Sequence, residues 1–456
     1  MATSNDPPAR PTPTWFDEAK LGIFIHWTAS AIPAFAPVPR TEGTVGQSDA
    51  LDSARFDAEM YHNAMAIPHS ATARHHAATY GDLPFDAFVH EFRDKLIPGW
   101  DPEPWAELFA HAGARYVVLC SKTEDGFLLW PSDHPNPHKP DWQAQRDVVG
   151  ELAEATRRRG MGFGVYYSGG WDFTFGGRPV TGNEPFAQVM PQGRDYRDYV
   201  DAHWRELVQR YQPGILWNDY AASPPGADLD GLFRWYLKQV PDGVINDRFD
   251  ERQESGELHA DFHVVEYSAE ESSTLKWEAC RGLGYSFGYN RQEDDGDYLS
   301  PTELIHLFVD VVARGGNLLL NVGPTATGEI PWAQGRRLTA LGQWLTTNGD
   351  AIYGSRPWKQ LGGQTEEGTQ IRYTTTTDSV HAIVLGTPST ASVDLNVGLD
   401  DHADISPHGW DGTLRWEKTP AGVRVELPEP PDRRPTLGLR ISPATAVHPA
   451  ICEREV

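Results

Sequence analysis

Cysteine is scarce in this chain: three in 456 residues, at positions 120, 280 and 452. So few, so widely spaced, exclude a disulfide framework. Long apolar runs are missing too, and none approaches the roughly 20 residues of a membrane-spanning helix. Positive charge is in short supply, with 39 Lys+Arg against 64 Asp+Glu and a formal net charge of −25. A chain that acidic repels phosphate backbones, which argues against nucleic acid as a partner. The sequence also lacks a Gly-rich phosphate loop, a Cys-x-x-Cys pair and any internal repeat. Its first fourteen residues, MATSNDPPARPTPT, are polar and Pro-rich, without the apolar stretch of a signal peptide. These absences set the expectation of a soluble, cytoplasmic protein with no membrane partner. They leave a homo-oligomer open.

Aromatic residues are plentiful instead: 16 Trp, 16 Tyr and 18 Phe, within a hydrophobic fraction of 39%. That suffices for a sizeable core and excludes wholesale disorder. Length favours one large unit with a smaller partner. Short apolar runs recur between helix-like stretches: LGIFIHW (21–27), YVVLCSK (116–122), GFGVYYS (162–168), GILWND (214–219), GVINDR (243–248), HVVEY (263–267), LGYSFGYN (283–290) and NLLLNVGP (317–324). Continuous apolarity marks strands covered on both faces, as in a parallel sheet. Between them, residues 101–114 place Trp105, Leu108, Phe109 and Ala112 on one helical stripe. Ser300-Pro301-Thr302-Glu303 reads as a capping box opening a helix that stops at Gly315-Gly316. About eight strands alternating with helices predict a (β/α)8-like barrel. From residue 369 onward, alternating runs such as TQIRYTTTT, SVHAIVLG and GVRVELP predict an antiparallel β-sandwich. The expected organisation is a disordered tail over 1–14, a catalytic barrel over 15–355 and a sandwich over 356–456.

Reacting groups in such barrels sit at the C-terminal ends of strands. Polar residues that close apolar runs are therefore the candidates: His26 and Trp27; Lys122, Glu124 and Asp125; Tyr166 and Tyr167; Trp217, Asn218 and Asp219; Asp247 and Arg248; Glu266; and Asn321. His75-His76 reads as a loop pair without a supporting ligand, a poor metal site. Paired carboxylates among aromatic platforms, with no cofactor motif, fit glycoside hydrolysis, which needs a nucleophile or base and a proton donor.

Seven segments in order then resemble glycoside hydrolase family 29, the α-L-fucosidases. They are WFDEAKLGIFIHW (15–27), YVVLCSKTEDGFLLWPS (116–132), GFGVYYSGGWDF (162–173), ILWNDY (215–220), VINDRF (244–249), WEACRGLGYSFGYN (277–290) and GGNLLLNVGPTATGEIP (315–331). The resemblance implies a barrel followed by a sandwich. It also implies exo-hydrolysis of terminal α-L-fucose with retention of configuration, a carbohydrate as the partner, and no cofactor or metal. Asp219 matches the family's nucleophile, Arg248 a sugar and carboxylate neighbour, His26 a hydroxyl-binding histidine, and Tyr166 the tyrosine near ring and nucleophile. Trp217 matches an aromatic lining the pocket, and Phe287 the apolar wall for the sugar's methyl group. DFHVVEY (261–267) resembles the segment whose Glu is the proton donor, which selects Glu266, with Glu278 and then Asp261 as alternatives.

The chain departs from the pattern at two places. Where the family reads K-H-H-D-G-F, this chain has Lys122-Thr123-Glu124-Asp125-Gly126-Phe127; where it reads E-W-Y, this chain has Glu59-Met60-Tyr61. Neutral imidazole donates and accepts, whereas an ionised carboxylate only accepts. Two readings of specificity follow: an α-L-fucosidase with an altered binding loop in which Glu124 turns away to pair with Lys122 or another cation, or an α-L-hexosidase of different epimer preference, such as an α-L-glucosidase, in which Glu124 reads a displaced hydroxyl flanked by His26 and Glu59. A non-catalytic carbohydrate-binding protein is the third reading, which the presence of Asp219 and Arg248 disfavours.

Overall fold

The computed structural model describes residues 10–38, 57–176, 179–181, 189–220, 222–250, 252, 258–268, 276–409, 412–428 and 434–450. Residues 1–9 of the expected tail, and Cys452, lie outside them. Eight strands run through the first part: β1 (Leu21–Ile25), β2 (Tyr116–Lys122), β3 (Gly162–Tyr167), β4 (Ile215–Asn218), β5 (Val244–Ile245), β6 (Phe262–Glu266), β7 (Lys276–Gly282) and β8 (Asn317–Val322). Their pairings are parallel, in the order β5-β4-β3-β2-β1-β8-β7-β6. The ends of that sheet meet through a parallel bridge between Asn246 and Phe262. Asp261 completes the seam: its amide donates to the Ile245 carbonyl at 2.9 Å, and its Oδ2 accepts the Ile245 amide at 3.0 Å. The result is the (β/α)8-like barrel.

Period-two alternation sorts the strand residues into two cores. Phe24, Val118, Cys120, Tyr166, Ile215, Trp217, Cys280 and Leu319 fill the barrel interior. Ile23, Ile25, Val117, Leu119, Val165 and Leu320 face the surrounding helices. Gly22 belongs to the inward set because the Tyr116 ring lies over it; a Cβ there would stand 2.2 Å from that ring. The capping box forms as read: Ser300 accepts from the Glu303 amide and Glu303 from the Ser300 amide, opening the helix Pro301–Ala313.

Two expectations are corrected. The run at 283–290 is a loop, and the seventh strand is the more polar KWEACRG that precedes it. Glu278 hid this strand from a hydrophobicity reading because it points into the barrel, where Tyr116 Oη and Trp217 Nε1 donate to it at 2.5 and 3.1 Å. The 283–290 segment is instead pinned by Glu293 Oε1, which accepts the Tyr285 and Ser286 amides, each at 2.8 Å. His75 and His76 lie not on a loop but in the helix Ala71–Tyr80, where Ser70 caps the chain by accepting from the Ala73 amide. His76 is buried against Tyr61 Oη at 2.9 Å.

From Arg356 the chain forms antiparallel sheets. One runs Asp404–Pro407, Leu437–Ser442, Val380–Val384, Gln370–Thr375 and Arg356–Gln364 in spatial order; a second runs Ser392–Leu395, Gly422–Glu426 and Trp416–Thr419. Ile371, Tyr373, Val384, Val393, Val425 and Ile441 pack in the core between them. The helix Pro301–Ala313 abuts this layer: His306 Nε2 meets the Pro435 carbonyl at 2.7 Å, and Asp310 pairs with Arg372.

Candidate active site

The C-terminal ends of β4, β5 and β6 bring three charged side chains together. β5 is only two residues long, so asparagine side chains continue its pairing with β4. Asn246 Nδ2 donates to the Asn218 carbonyl at 2.9 Å, and the Asn218 amide donates to Asn246 Oδ1 at 3.1 Å. Asn218 Nδ2 also reaches the Arg248 carbonyl at 2.7 Å, which fixes where the arginine leaves the strand. Asp247 is engaged elsewhere. It accepts the Val264 amide at 3.1 Å and pairs with His263, and so fastens β6 beside β5.

Arg248 Nη1 donates to Asp219 Oδ1 at 2.9 Å and to Glu266 Oε1 at 2.6 Å. Those distances bound the separation of the two accepting oxygens at 5.5 Å, reached only if they stood on opposite sides of the nitrogen. Retaining glycosidases hold their two carboxyl groups about 5–5.5 Å apart, inverting ones about 6.5–9.5 Å, to leave room for a water. The second oxygen of Asp219 accepts from Tyr166 Oη at 2.9 Å. Burial works against the charge on Arg248, but the Glu266 and Asp219 carboxylates outweigh it and raise its pKa. Burial, reinforced by Asp219, pushes the Tyr166 phenol well above its ordinary range, so it stays a donor. Glu266 is the exposed member of the group, at 44% of its side chain, against 19% for Asp219.

Beneath these groups lies an aromatic floor. Trp217 stacks on Tyr166, with ring centroids 5.4 Å apart, and the Arg248 guanidinium sits 5.1 Å above the Trp217 ring. Phe287 packs edge-on to Tyr267 at 5.6 Å and lies 5.1 Å from the His26 ring. Asn321 Nδ2 donates to the Phe287 carbonyl at 2.6 Å, which leaves its Oδ1 to accept from His26 Nδ1, also at 2.6 Å. That assigns the His26 proton to Nδ1 and a lone pair to Nε2. Burial, only partly opposed by Asn321, pushes His26 down to about 4. It is a neutral acceptor.

The rim is built from carboxyl groups. Thr123 and Glu124 follow β2 and are buried. Glu124 does not turn toward Lys122, whose ammonium pairs with Asp172 at 3.0 Å and donates to the Ser168 carbonyl at 2.7 Å. Instead Tyr220 Oη donates to Glu124 Oε2 at 3.2 Å. Burial first, and then the neighbouring Asp125, push Glu124 up to about 8. Burial and Asp125 thus favour the neutral form of Glu124 over the ionised, accept-only one expected from the sequence. Glu59 stands in a short 3-10 turn, Ala58–Met60, and its Oε2 accepts the Gly288 amide at 2.7 Å. Burial raises its pKa well above the usual carboxylate range. Only glycine fits at 288, since a Cβ would stand 2.8 Å from the Glu59 amide nitrogen. Met60 packs among Trp171, Phe173 and Tyr220.

The structure thus gathers Asp219, Arg248, Glu266, Tyr166 and Trp217 into one contact network, with His26 beside Tyr166, Phe287 beside His26, and Glu124 bonded to Tyr220. It separates the alternatives for the proton donor. Glu278 is inside the barrel with both oxygens occupied, and Asp261 precedes β6 at the opposite end of the strand. Trp27 belongs to a cluster with Trp100 and Trp105. Tyr220 was missed, although it directly follows Asp219. It adopts φ +69°, a left-handed conformation that costs a non-glycine residue roughly 1–2 kcal/mol, and such strain gathers at functional sites. A sequence offers no sign of that. Among the described residues, no group of three or more His, Cys, Asp or Glu is placed to hold a metal ion. An ordered carboxylate and a second carboxyl on one cation, over an aromatic floor, can carry out a double displacement at an anomeric carbon.

Comparison with known proteins agrees with this geometry. A family model described as alpha-L-fucosidase matches residues 2–350. An alpha-L-fucosidase of Branchiostoma floridae is 32% identical over 435 residues, which cover 92% of this chain and 89% of that protein. The tissue alpha-L-fucosidase of Homo sapiens is 32% identical over 439 residues, 93% of this chain and 86% of the relative. The crystal structure of Thermotoga maritima alpha-fucosidase in complex with fucose superposes with a TM-score of 0.82 at 37% identity, covering 94% of this chain and 97% of that one.

Proposed function

The chain belongs to the α-L-fucosidase family, and from that premise we propose that it hydrolyses terminal α-L-fucosyl residues by a retaining double displacement. One observation carries the reading: a single Arg248 nitrogen donates to both Asp219 and Glu266, which keeps the two accepting oxygens within 5.5 Å of each other, short of the about 6.5–9.5 Å of inverting enzymes. Asp219 attacks C1, its oxygens aligned by Arg248 and Tyr166, while Glu266 delivers a proton to the departing glycosidic oxygen. A glycosyl-enzyme ester forms and the aglycone leaves. Glu266 then takes a proton from a water that attacks C1, and Asp219 is released with the sugar's configuration restored. The exposed position of Glu266 suits a group that must meet first an aglycone and then water. Glu59, Thr123, Glu124 and His26 supply the polar wall, Trp217 and Phe287 the apolar one. No cofactor enters the scheme.

The same mechanism on a different L-sugar is a second reading, favoured by one observation, the Thr123-Glu124 pair on the rim. A nitrophenyl glycoside panel of α-L-fucose, α-L-galactose, α-L-glucose and α-L-rhamnose separates the two. The first reading expects the fucoside to be hydrolysed best, with the α-anomer of fucose as the first product seen by proton NMR and no change on adding EDTA. A faster α-L-glucoside reaction would establish the second. Release of the β-anomer first would overturn both.

A further inference from the structure

Glu124 is 1% exposed, its Oε2 accepts from Tyr220, and its Oε1 is buried without a hydrogen-bond partner. The groups that face it come from every element around the rim. Asp125 lies beside it, Asp219 and Tyr220 come from the end of β4, Tyr166 from β3, Cys120 from β2 and Glu59 from the turn at 58–60. Asp125, Asp219 and Glu59 are carboxyl groups, the others neutral phenols and a thiol, and none is a cation. Among the described residues, Lys122 is engaged by Asp172 and Arg248 by Asp219 and Glu266. Among the described residues no cation pairs with Glu124, and a carboxylate buried in this way is driven toward its protonated form.

Resting on the reading that the pocket takes an α-L-fucosyl-type sugar, we propose that Glu124 acts as a neutral carboxylic acid, donating a hydrogen bond from Oε1 to a ring hydroxyl and so determining which sugar binds. A protonated carboxyl offers one O–H donor and keeps acceptor capacity on its other oxygen, here turned to Tyr220. Burial and Asp125 place the proton's loss at about pH 8. Below that pH the donor is present. Above it the donor is lost and a buried negative charge faces the hydroxyl.

The test is the inhibition constant of L-fucose against nitrophenyl α-L-fucoside between pH 6 and 9.5, for the wild type, Glu124→Gln, Glu124→Asp and Glu124→Ala. Wild-type affinity should hold to about pH 8 and then fall about tenfold per pH unit, the slope of one proton. The amide of Glu124→Gln cannot titrate, so its alkaline loss should be smaller than the wild type's by at least about fivefold. Glu124→Asp should keep a titrating limb, and Glu124→Ala should bind L-fucose at least about tenfold more weakly than Glu124→Gln at pH 7. Equal affinities for the Gln and Ala variants, or the same alkaline fall in Gln as in the wild type, would overturn the proposal. Infrared difference spectra between pH 7 and 9.5 read the proton without any sugar. The carbonyl stretch of a protonated carboxyl should disappear in Glu124→Gln, and no lost band would overturn the proposal even if the enzyme is a fucosidase. A wild type that neither hydrolyses the fucoside nor binds L-fucose would sink the substrate reading while leaving the infrared result to judge Glu124.

Discussion

Where β4, β5 and β6 end, Asp219 and Glu266 share one guanidinium nitrogen; across the mouth, Glu124 lies against Asp125 and the Tyr220 phenol, and Glu59 against Asp57 and the Gly288 amide. Both places gather carboxyl groups at the mouth of one barrel, yet their chemistry diverges. On the first side a cation lets carboxylates act as nucleophile and proton carrier. On the second, burial raises the pKa of both carboxyls, and a protonated Glu124 offers the donor and acceptor of a neutral imidazole. Replacing a histidine by Glu124 therefore alters the rim less than an ionised glutamate would. What a carboxyl does here is decided by whether Arg248 reaches it.

Substitutions can break that contrast at several points. Asp219→Gly should have the largest effect, lowering kcat by at least roughly 10⁴-fold because the covalent step is gone. Azide should restore part of the rate on an activated aryl fucoside, and an unchanged melting curve would show that the fold survives. Glu266→Ala should cost about 10²–10⁴-fold on substrates with poor leaving groups and far less on activated ones, which need no proton; equal losses on both would remove Glu266 from the role. Arg248→Gln should lower kcat/KM by about 10²–10³-fold, as for the loss of one preorganised donor. Glu278→Ala leaves the phenol of Tyr116 and the indole N–H of Trp217 without their buried acceptor. We expect a loss of about 1–3 kcal/mol in denaturant unfolding, with a smaller effect on rate than any of the preceding changes.

Much of the catalytic side was legible in the sequence because strand-end position and residue type made its members candidates, and the family resemblance then singled out Asp219, Arg248 and Glu266 among them. Asp219 closes β4, Glu266 closes β6, and Arg248 follows a strand whose brevity the Asn218–Asn246 pair makes up. The barrel was legible for the same reason, except at β7. There Glu278 faces inward and the apolar loop at 283–290 took the strand's place in the reading. The rim was legible in its residues but not in their charge. The pKa of Glu124 is raised first by burial, which the sequence does not display, and then by its own neighbour Asp125, which it does. Tyr220 was invisible because its role comes from a left-handed backbone that aims the phenol at Glu124.

The most direct test of the central claim is to trap the covalent step. Incubation with 2-deoxy-2-fluoro-α-L-fucosyl fluoride, followed by proteolysis and mass mapping, should place one fluorofucosyl group on the peptide containing Asp219, and the label should be absent from Asp219→Gly. A label on Glu266 or on any other peptide would contradict the account, as would turnover of the wild type with no covalent species at all.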